Sequence, residues 1–176
     1  MQKLYYVDTS IWLNLFKKEG DPTRGVPYWK IAEDFVSHIV RSPDKKIVYT
    51  GVVLRELEIH LHPKEYYEKR LFIENGHECL KIDILTQDRK DARKLESLYM
   101  FTISFYDLLH LSIAKRIGAI LITRDKQLIE VCKENMVKVA KPENIINYSN
   151  GQCQGFLLII FFVFLLLLLQ NHRCLE

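Results

Sequence analysis

The sequence predicts an α/β protein, a three-layer α/β/α sandwich with a mainly parallel central sheet. Short apolar segments alternate with segments of helical periodicity along the chain, which is typical of this class. AILIT, at 119–123, is apolar throughout, as expected of a strand in the middle of a parallel sheet. Residues 105–118 are apolar almost all round, which indicates a buried helix. The length of 176 residues fits one domain with a sizeable core.

The first forty residues are predicted to form one strand and two helices. KLYYV, at 3–7, has the composition of a short buried strand. The segment 10–20 is predicted to be a helix, with Thr9 or Ser10 as its N-cap. After a loop rich in proline and glycine, apolar residues at helical spacing predict a helix over 28–40.

The next segment repeats the change from strand to helix. IVYT, at 47–50, is predicted to be a strand that follows a turn, and apolar residues on one side predict a helix over 51–61. Residues 63–76 are predicted to form a further helix, because Pro63 suits a helix start and Gly76 suits a helix end.

The second half continues the alternation, and Thr86 is expected to cap a strongly charged helix there. The predicted strands lie at 80–85, 119–123 and 137–140, and the predicted helices lie at 86–100, 105–118 and 125–135.

Charge and cysteine content place few limits on function. The net charge of +3 is too small to identify a nucleic-acid binder by itself, and it does not exclude one. Four cysteines without a C-x-x-C pair, and no signal peptide, predict reduced thiols in a cytoplasmic protein.

The last segment differs in composition from the rest. Residues 156–169 form an unbroken apolar run that would span roughly 21 Å as a helix, short of the ~30 Å core of a bilayer. A weak membrane anchor, a segment that packs on a partner, and an extension unrelated to the fold are all possible readings. The abrupt change after Asn147 favours the last, so we expect a domain over 1–148 and a separate tail over 149–176, with membrane association not expected.

Four carboxylates fall at the same edge of the predicted sheet. Asp8 directly follows the first strand, Glu56 lies in the second turn of the helix after the second strand, and Asp125 follows the strand AILIT. Asp107 lies in the first turn of the buried helix that leads to that strand. Ligand sites in open parallel sheets lie beyond the carboxyl ends of the strands, so these acids are candidates for one site.

Each acid also has a simpler explanation. Asp8 and Asp125 can be helix N-caps, Ser104 and Asp107 have the form of a variant capping box, and Glu56 can be a solvated helix residue. Together these explanations weaken, because caps should be scattered over both edges of the sheet.

Converging carboxylates need a shared proton or a cation. Oxygen-only ligands favour Mg²⁺ or Mn²⁺, which lowers the pKa of a bound water and stabilises charge at a phosphoryl centre. The sequence therefore predicts metal-dependent hydrolysis of a phosphodiester. The neighbouring hydroxyls of Thr9, Ser10 and Thr123 can hold water or phosphate, or can cap helices.

Four stretches together resemble the PIN domain, and within it the VapC-type toxin ribonucleases. They are YYVDTSIWLNLF, TGVVLRELE, SFYDLLHLSIAKRIGA and LITRDKQL, in family order. The resemblance implies a PIN-like fold and an endoribonuclease dependent on Mg²⁺ or Mn²⁺, with Asp8, Glu56, Asp107 and Asp125 as catalytic metal ligands. It also implies an RNA substrate, a small antitoxin partner and a homodimer. An RNA-binding, RNA-processing or assembly module on the same fold, without a toxin role, is the alternative.

Three further residues lie near the acids in the sequence. Arg124 and Lys126 flank Asp125 and are candidates for contact with substrate. His110 lies one turn after Asp107, where a hydrogen-bonded core histidine is the more common case than a ligand or base.

Overall fold

The computed structural model describes residues 2–146, which fold around a five-stranded parallel sheet. All four strand pairs are parallel, and the order across the sheet is β3-β2-β1-β4-β5. The strands are β1 (Lys3–Val7), β2 (Lys45–Tyr49), β3 (Cys79–Lys81), β4 (Ile120–Ile122) and β5 (Val139–Ala140). All five strands were predicted, and the parallel sheet is confirmed.

Helices cover both faces of this sheet. They are α1 (Thr9–Phe16), α2 (Tyr28–Val40), α3 (Gly51–His60), α4 (Pro63–Glu74), α5 (Thr86–Leu98), α6 (Phe105–Ile117), α7 (Lys126–Glu134) and α8 (Pro142–Ile145), with a 3₁₀ turn at Pro22–Arg24. One set of contacts joins α1, α2, α3, α4 and α8, and another joins α5, α6 and α7. Since crossovers between parallel strands are right-handed, the two sets lie on opposite faces, which confirms the three-layer sandwich.

The core is built on the central strand and on α6. Tyr5, Tyr6 and Val7 of β1 are at most 1% exposed, because helices cover this strand on both sides. In α6, every residue from 108 to 114 is buried, as its apolar sequence predicted. Both elements end or begin at the edge of the sheet where the candidate acids lie.

Both predicted boundaries of the first helix are wrong. Asp8, and not Thr9 or Ser10, occupies the N-cap position of α1. The same helix ends at Phe16 and not near Gly20, because Lys18 adopts a left-handed conformation with φ of 52°.

At the other end of the sheet, β3 stops at Lys81, earlier than predicted. The backbone N–H of Ile82 still donates to the carbonyl of Tyr49, and the carbonyl of Asp83 accepts from the Arg116 side chain and not from a strand. Leu85, and not Thr86, is the cap residue of α5, where the Asp88 carboxylate accepts from the Leu85 N–H at 2.8 Å.

The predicted tail, 149–176, and the boundary before it lie outside the described residues. Within residues 2–146, no helix is long and apolar enough to cross a membrane.

Replacing Gly118 by alanine is expected to destabilise the protein by about 1 kcal/mol. Gly118 ends α6 with φ of 66°, a left-handed conformation that costs energy for any residue with a Cβ, although nothing lies within 4 Å of the added atom. Gly51→Ala is the matched control, because Gly51 also has open space around it but no positive φ. Urea unfolding measures both, and equal stability of the two variants would contradict the prediction.

Candidate active site

The candidate site lies where the strand order reverses. From β1 the chain first builds outward to β2 and β3, and then crosses back to β4 and β5 on the other side. The carboxyl ends of β1 and β4 therefore form the topological switch point, which is where open α/β sheets bind ligands. The two ends are joined directly, since the N–H of Asp8 donates to the carbonyl of Ile122 at 3.0 Å.

Asp8 is buried, with 7% of its surface exposed, and its side chain does not cap α1. One oxygen, Oδ2, accepts instead from the hydroxyl of Ser10 at 2.5 Å and from the hydroxyl of Thr123 at 2.8 Å. Asp8 is therefore the N-cap residue of α1 by position, but its side chain does not cap the helix. Side chains from α1 and from the end of β4 hold this carboxylate at the edge of the sheet.

Thr123 joins two of the candidate acids. It is fully buried, and its hydroxyl accepts from the backbone N–H of Asp125 at 3.1 Å while it donates to Asp8. Two of the predicted hydroxyls, those of Ser10 and Thr123, thus contact Asp8 directly, and their role toward water or phosphate stays a prediction.

Thr123→Val is expected to destabilise the fold by about 1–3 kcal/mol, because the N–H of Asp125 loses its acceptor and Asp8 loses a donor. Thr102→Val serves as the control, because Thr102 is exposed and its hydroxyl donates locally, to the carbonyl of Tyr99. Its expected effect is within about 0.5 kcal/mol. Free energies of unfolding in urea compare the two, and a loss for Thr123→Val no larger than that of the control would contradict the prediction.

Glu56 is not a solvated helix residue. Its side chain is 23% exposed, and Oε2 accepts from the hydroxyl of Thr9 and from Nε2 of His110, the latter at 3.0 Å. Burial raises the pKa of Glu56, but the hydrogen bond and charge of His110 and the bond from Thr9 outweigh burial and lower this pKa below its usual value. Glu56 is thus held as a carboxylate by side chains of α1 and α6.

His110 is a buried, hydrogen-bonded residue of the core, as the sequence favoured. Its Nδ1 lies 2.7 Å from the hydroxyl of Tyr6, and that hydroxyl lies 2.9 Å from the hydroxyl of Thr50. Nε2 lies 4.0 Å from Oδ1 of Asp8. Burial lowers the pKa of His110, but Tyr6, Glu56 and Asp8 together raise it well above its usual value.

Asp107 and Asp125 combine a capping role with a place in the site. The hydroxyl of Ser104 accepts from the N–H of Asp107 at 3.1 Å, so Ser104 caps α6 as predicted. The second bond, at 2.7 Å, runs from the same hydroxyl to the Asp107 carboxylate, whereas in a capping box the carboxylate accepts from the backbone N–H of the cap residue. Oδ1 of Asp125 accepts from the N–H of Leu128 at 2.7 Å, so Asp125 also caps its helix, α7.

The charges of these acids nevertheless act on one another. Burial raises the pKa of Asp107, the bond from Ser104 and the charge of His110 oppose that rise, and the charges of Asp8 and Asp125 add to it. Asp107 is therefore repelled by the negative charges of Asp8, which follows β1, and of Asp125, which follows β4. This is the electrostatic situation that a bound cation relieves.

The oxygen donors at this site suit a hard divalent cation such as Mg²⁺ or Mn²⁺. Among residues 2–146, however, no three side chains of His, Cys, Asp or Glu are close enough together to enclose a metal ion. The chemistry of the donors fits the ion, and a shared ion would require the carboxylates to draw closer.

Arg124 and Lys126 have different surroundings. The guanidinium of Arg124 donates to Asn14 at 3.1 Å and to Glu143 at 2.9 Å, and it lies over the ring of Tyr28. These contacts give Arg124 a structural role between α1, α2 and α8. Lys126 is exposed at the start of α7, and contact of either residue with substrate stays a prediction.

Sequence reasoning missed Tyr6, Thr50 and Asn14. Tyr6 and Thr50 are fully buried and orient His110, and Asn14, 7% exposed, holds Arg124. A hydroxyl on a buried strand and an amide on the inner side of a helix were the available signals.

The candidate acids lie in a region that matches a known protein family. The model of the PIN domain matches residues 5–134, which contain all four candidate acids. The chain belongs to the PIN domain family. The PIN domain thus accounts for nearly all of the chain that the structure describes. No curated protein matches this sequence.

Solved structures similar to this PIN domain include proteins of VapBC systems. VapBC2 of Rickettsia felis, bound to a promoter DNA fragment, has a TM-score of 0.59 at 16% identity, over 78% of this chain and 98% of that one. VapC20 of Mycobacterium tuberculosis, a toxin that cleaves the sarcin-ricin loop, has a TM-score of 0.57 at 14% identity, over 72% and 94%. DNA-bound VapBC of Salmonella typhimurium has a TM-score of 0.55 at 16% identity, over 81% and 99%. At these identities the likeness establishes the fold.

Proposed function

We propose that this PIN domain is a metal-dependent endoribonuclease that hydrolyses RNA phosphodiesters through Asp8, Glu56, Asp107 and Asp125. One observation carries the proposal. The carboxylate of Asp8, placed at the switch point of the sheet, caps no helix and is held there by Ser10 and Thr123. Family membership and the likeness to a toxin that cleaves the sarcin-ricin loop support the choice of RNA as substrate.

The four acids share one task in this proposal, and the residues around them have others. Asp8 and Asp107, which repel each other in the free protein, hold Mg²⁺ or Mn²⁺ together with Asp125 and Glu56. A bound divalent ion supplies an activated water and stabilises negative charge at the phosphoryl group. Thr9, Ser10 and Thr123 fix the carboxylates, and Lys126 is free at the surface to contact an RNA phosphate.

The toxin of a type II toxin–antitoxin pair is the proposed biological role. Its support is the likeness to VapBC proteins of two bacteria, whose structures include a bound DNA. The proposal includes a small antitoxin that covers the acids, a homodimer and a cytoplasmic location. Expression in a bacterial host should arrest growth, and Asp107→Asn should abolish the arrest. Cleavage of RNA in vitro without growth arrest would favour a role in RNA processing.

Cleavage of a mixed, end-labelled RNA pool by the full chain tests the activity. Reactions contain Mn²⁺, Mg²⁺ or EDTA, and Asp107→Asn is compared with the wild type. Asp44→Asn is a matched control, because Asp44 is exposed and its backbone pairs with Lys3 at the opposite edge of the sheet. We expect cleavage that needs metal and Asp107 but not Asp44. Cleavage that persists in EDTA or in Asp107→Asn would contradict the proposal.

One observation favours a second candidate, an RNA-binding or assembly module without catalysis. Residues 2–146 hold no ready-made cluster of metal ligands. A folded wild type that binds RNA, but shows no affinity for Mn²⁺ by calorimetry and no cleavage, would support this candidate over the nuclease.

A further inference from the structure

Of the four candidate metal ligands, Glu56 depends most on other side chains for the position of its carboxylate. It projects from α3, whereas Asp8 directly follows β1 and Asp125 follows β4 after Thr123 and Arg124. A glutamate side chain has three rotatable torsions, so its carboxylate is not placed by the backbone alone. Two side chains from other elements bond to it, Thr9 of α1 and His110 of α6.

His110 is itself fixed by two buried hydroxyls. Tyr6 and Thr50 are both 0% exposed, and their hydroxyls form a chain that ends at Nδ1 of the imidazole. The ring of Tyr6 also packs edge-on against the imidazole, with centroids 5.4 Å apart. His110 thus has one hydrogen-bonding partner at each nitrogen and no freedom to turn without losing both.

The partners determine where the proton lies. The carboxylate of Glu56 can only accept, so Nε2 of His110 must carry a hydrogen. At Nδ1, the hydroxyl of Tyr6 can donate to a neutral imidazole or accept from a protonated one, and Thr50 completes the chain in either case. The donation from Nε2 to Glu56 is therefore the same in both charge states of the ring.

We propose that His110 is a positioning residue, which Tyr6 and Thr50 orient so that its Nε2–H holds the Glu56 carboxylate beside Asp8. The inference rests on the proposed function, in which Glu56 is a metal ligand. Residues that orient ligands in this way commonly govern metal affinity. Because His110 and Asp107 lie one turn apart on α6, one helix supplies an acid and orients another from α3.

A pair of substitutions at His110 separates positioning from packing. His110→Gln keeps an N–H donor near the place of Nε2, whereas His110→Leu fills a similar volume without any donor. In the full chain, we expect His110→Leu to weaken Mn²⁺ binding by about 10–100-fold. His110→Gln should stay within about threefold of the wild type, because its amide can still donate to Glu56.

Calorimetric Mn²⁺ titration and urea unfolding of the metal-free protein are measured on each variant. A merely structural role for His110 would change the free energy of unfolding and leave the Mn²⁺ affinity of the folded protein unchanged. Equal Mn²⁺ affinities of His110→Leu and the wild type would overturn the positioning role.

A double-mutant cycle tests whether His110 acts through Glu56. In a Glu56→Gln background, His110→Leu should cause no further loss of Mn²⁺ affinity beyond about twofold, because the carboxylate that it positions is gone. The same loss as in the wild-type background would mean that His110 affects the metal by another route, and would overturn the inference.

Nitrogen-15 NMR of the histidine side chain supplies a measurement without metal. We expect a proton on Nε2 of His110 in the wild type, and we expect Tyr6→Phe to shift the Nδ1 resonance because its hydroxyl partner is lost. A ring that carries its proton on Nδ1 alone would overturn the inference. A wild type that binds no Mn²⁺ would overturn the metal-dependent function instead, and the NMR result would then decide the positioning role alone.

Discussion

Asp8→Asn is expected to lower the rate of RNA cleavage at least about 100-fold while the fold stays intact, since loss of a metal-binding charge removes several kcal/mol of stabilisation. Asparagine has the same shape as aspartate and can still bond to Ser10 and Thr123, so the local structure has little reason to change. The substitution also removes a charge that repels Asp107. The free energy of unfolding of the metal-free protein should therefore stay level or rise.

Initial cleavage rates at saturating Mn²⁺ and urea unfolding curves are measured on the same preparations of the full chain. Asp44→Asn serves again as the control, with an unchanged rate expected. A rate for Asp8→Asn within about threefold of the wild type would exclude Asp8 as an essential ligand, because a lost ligand costs far more than that. Loss of both activity and stability would instead assign Asp8 a structural role.

The fold could be predicted because its central elements have unambiguous patterns. The run AILIT is too apolar for a strand with a solvated face, and residues 105–118 are too apolar for a surface helix. Both predictions are confirmed by the burial of Leu121, Ile122 and most of α6. Short elements were less predictable: α8 has four residues and β3 has three.

The edge of the sheet at which the candidate acids lie could be predicted from topology. In a parallel sheet, every strand ends at the same edge, so acids that follow strands lie near one another in space. Sequence could not decide between capping and a site role, because the two are not exclusive. Asp125 caps α7, and its charge also raises the pKa of Asp107. Asp8 is the N-cap residue of α1, but its side chain does not bond to the helix N-terminus.

Contacts between residues that are far apart in the sequence could not be predicted from the sequence. His110 bonds to Tyr6, 104 residues earlier, and that hydroxyl bonds to Thr50, 44 residues after it. Arg124 adjoins Asp125 in sequence, yet its side chain is bound by Glu143 and Asn14. Proximity in sequence to a candidate acid is therefore a weak guide to where a long side chain lies.

Breaking the ion pair of Asp88 and Arg116 is expected to have the largest effect on stability. This pair joins the start of α5 to the end of α6. Asp88 is 2% exposed and accepts from Nε of Arg116 at 2.7 Å and from Nη2 at 3.0 Å. Arg116→Met keeps much of the alkyl chain but leaves the carboxylate buried without a cation. The expected loss is about 3 kcal/mol, at the low end for a broken buried pair because Arg116 is 32% exposed.

Lys133→Met provides the control, because Lys133 pairs with Glu130 at a similar 2.9 Å but both side chains are at least 60% exposed. Its expected effect on the free energy of unfolding is below about 0.5 kcal/mol. Removing the second charge as well, in Asp88→Asn with Arg116→Met, should recover part of the loss, since the penalty comes from the unpaired buried carboxylate. Urea unfolding that finds Arg116→Met no worse than Lys133→Met would mean that water reaches Asp88 and that packing alone holds α5 against α6.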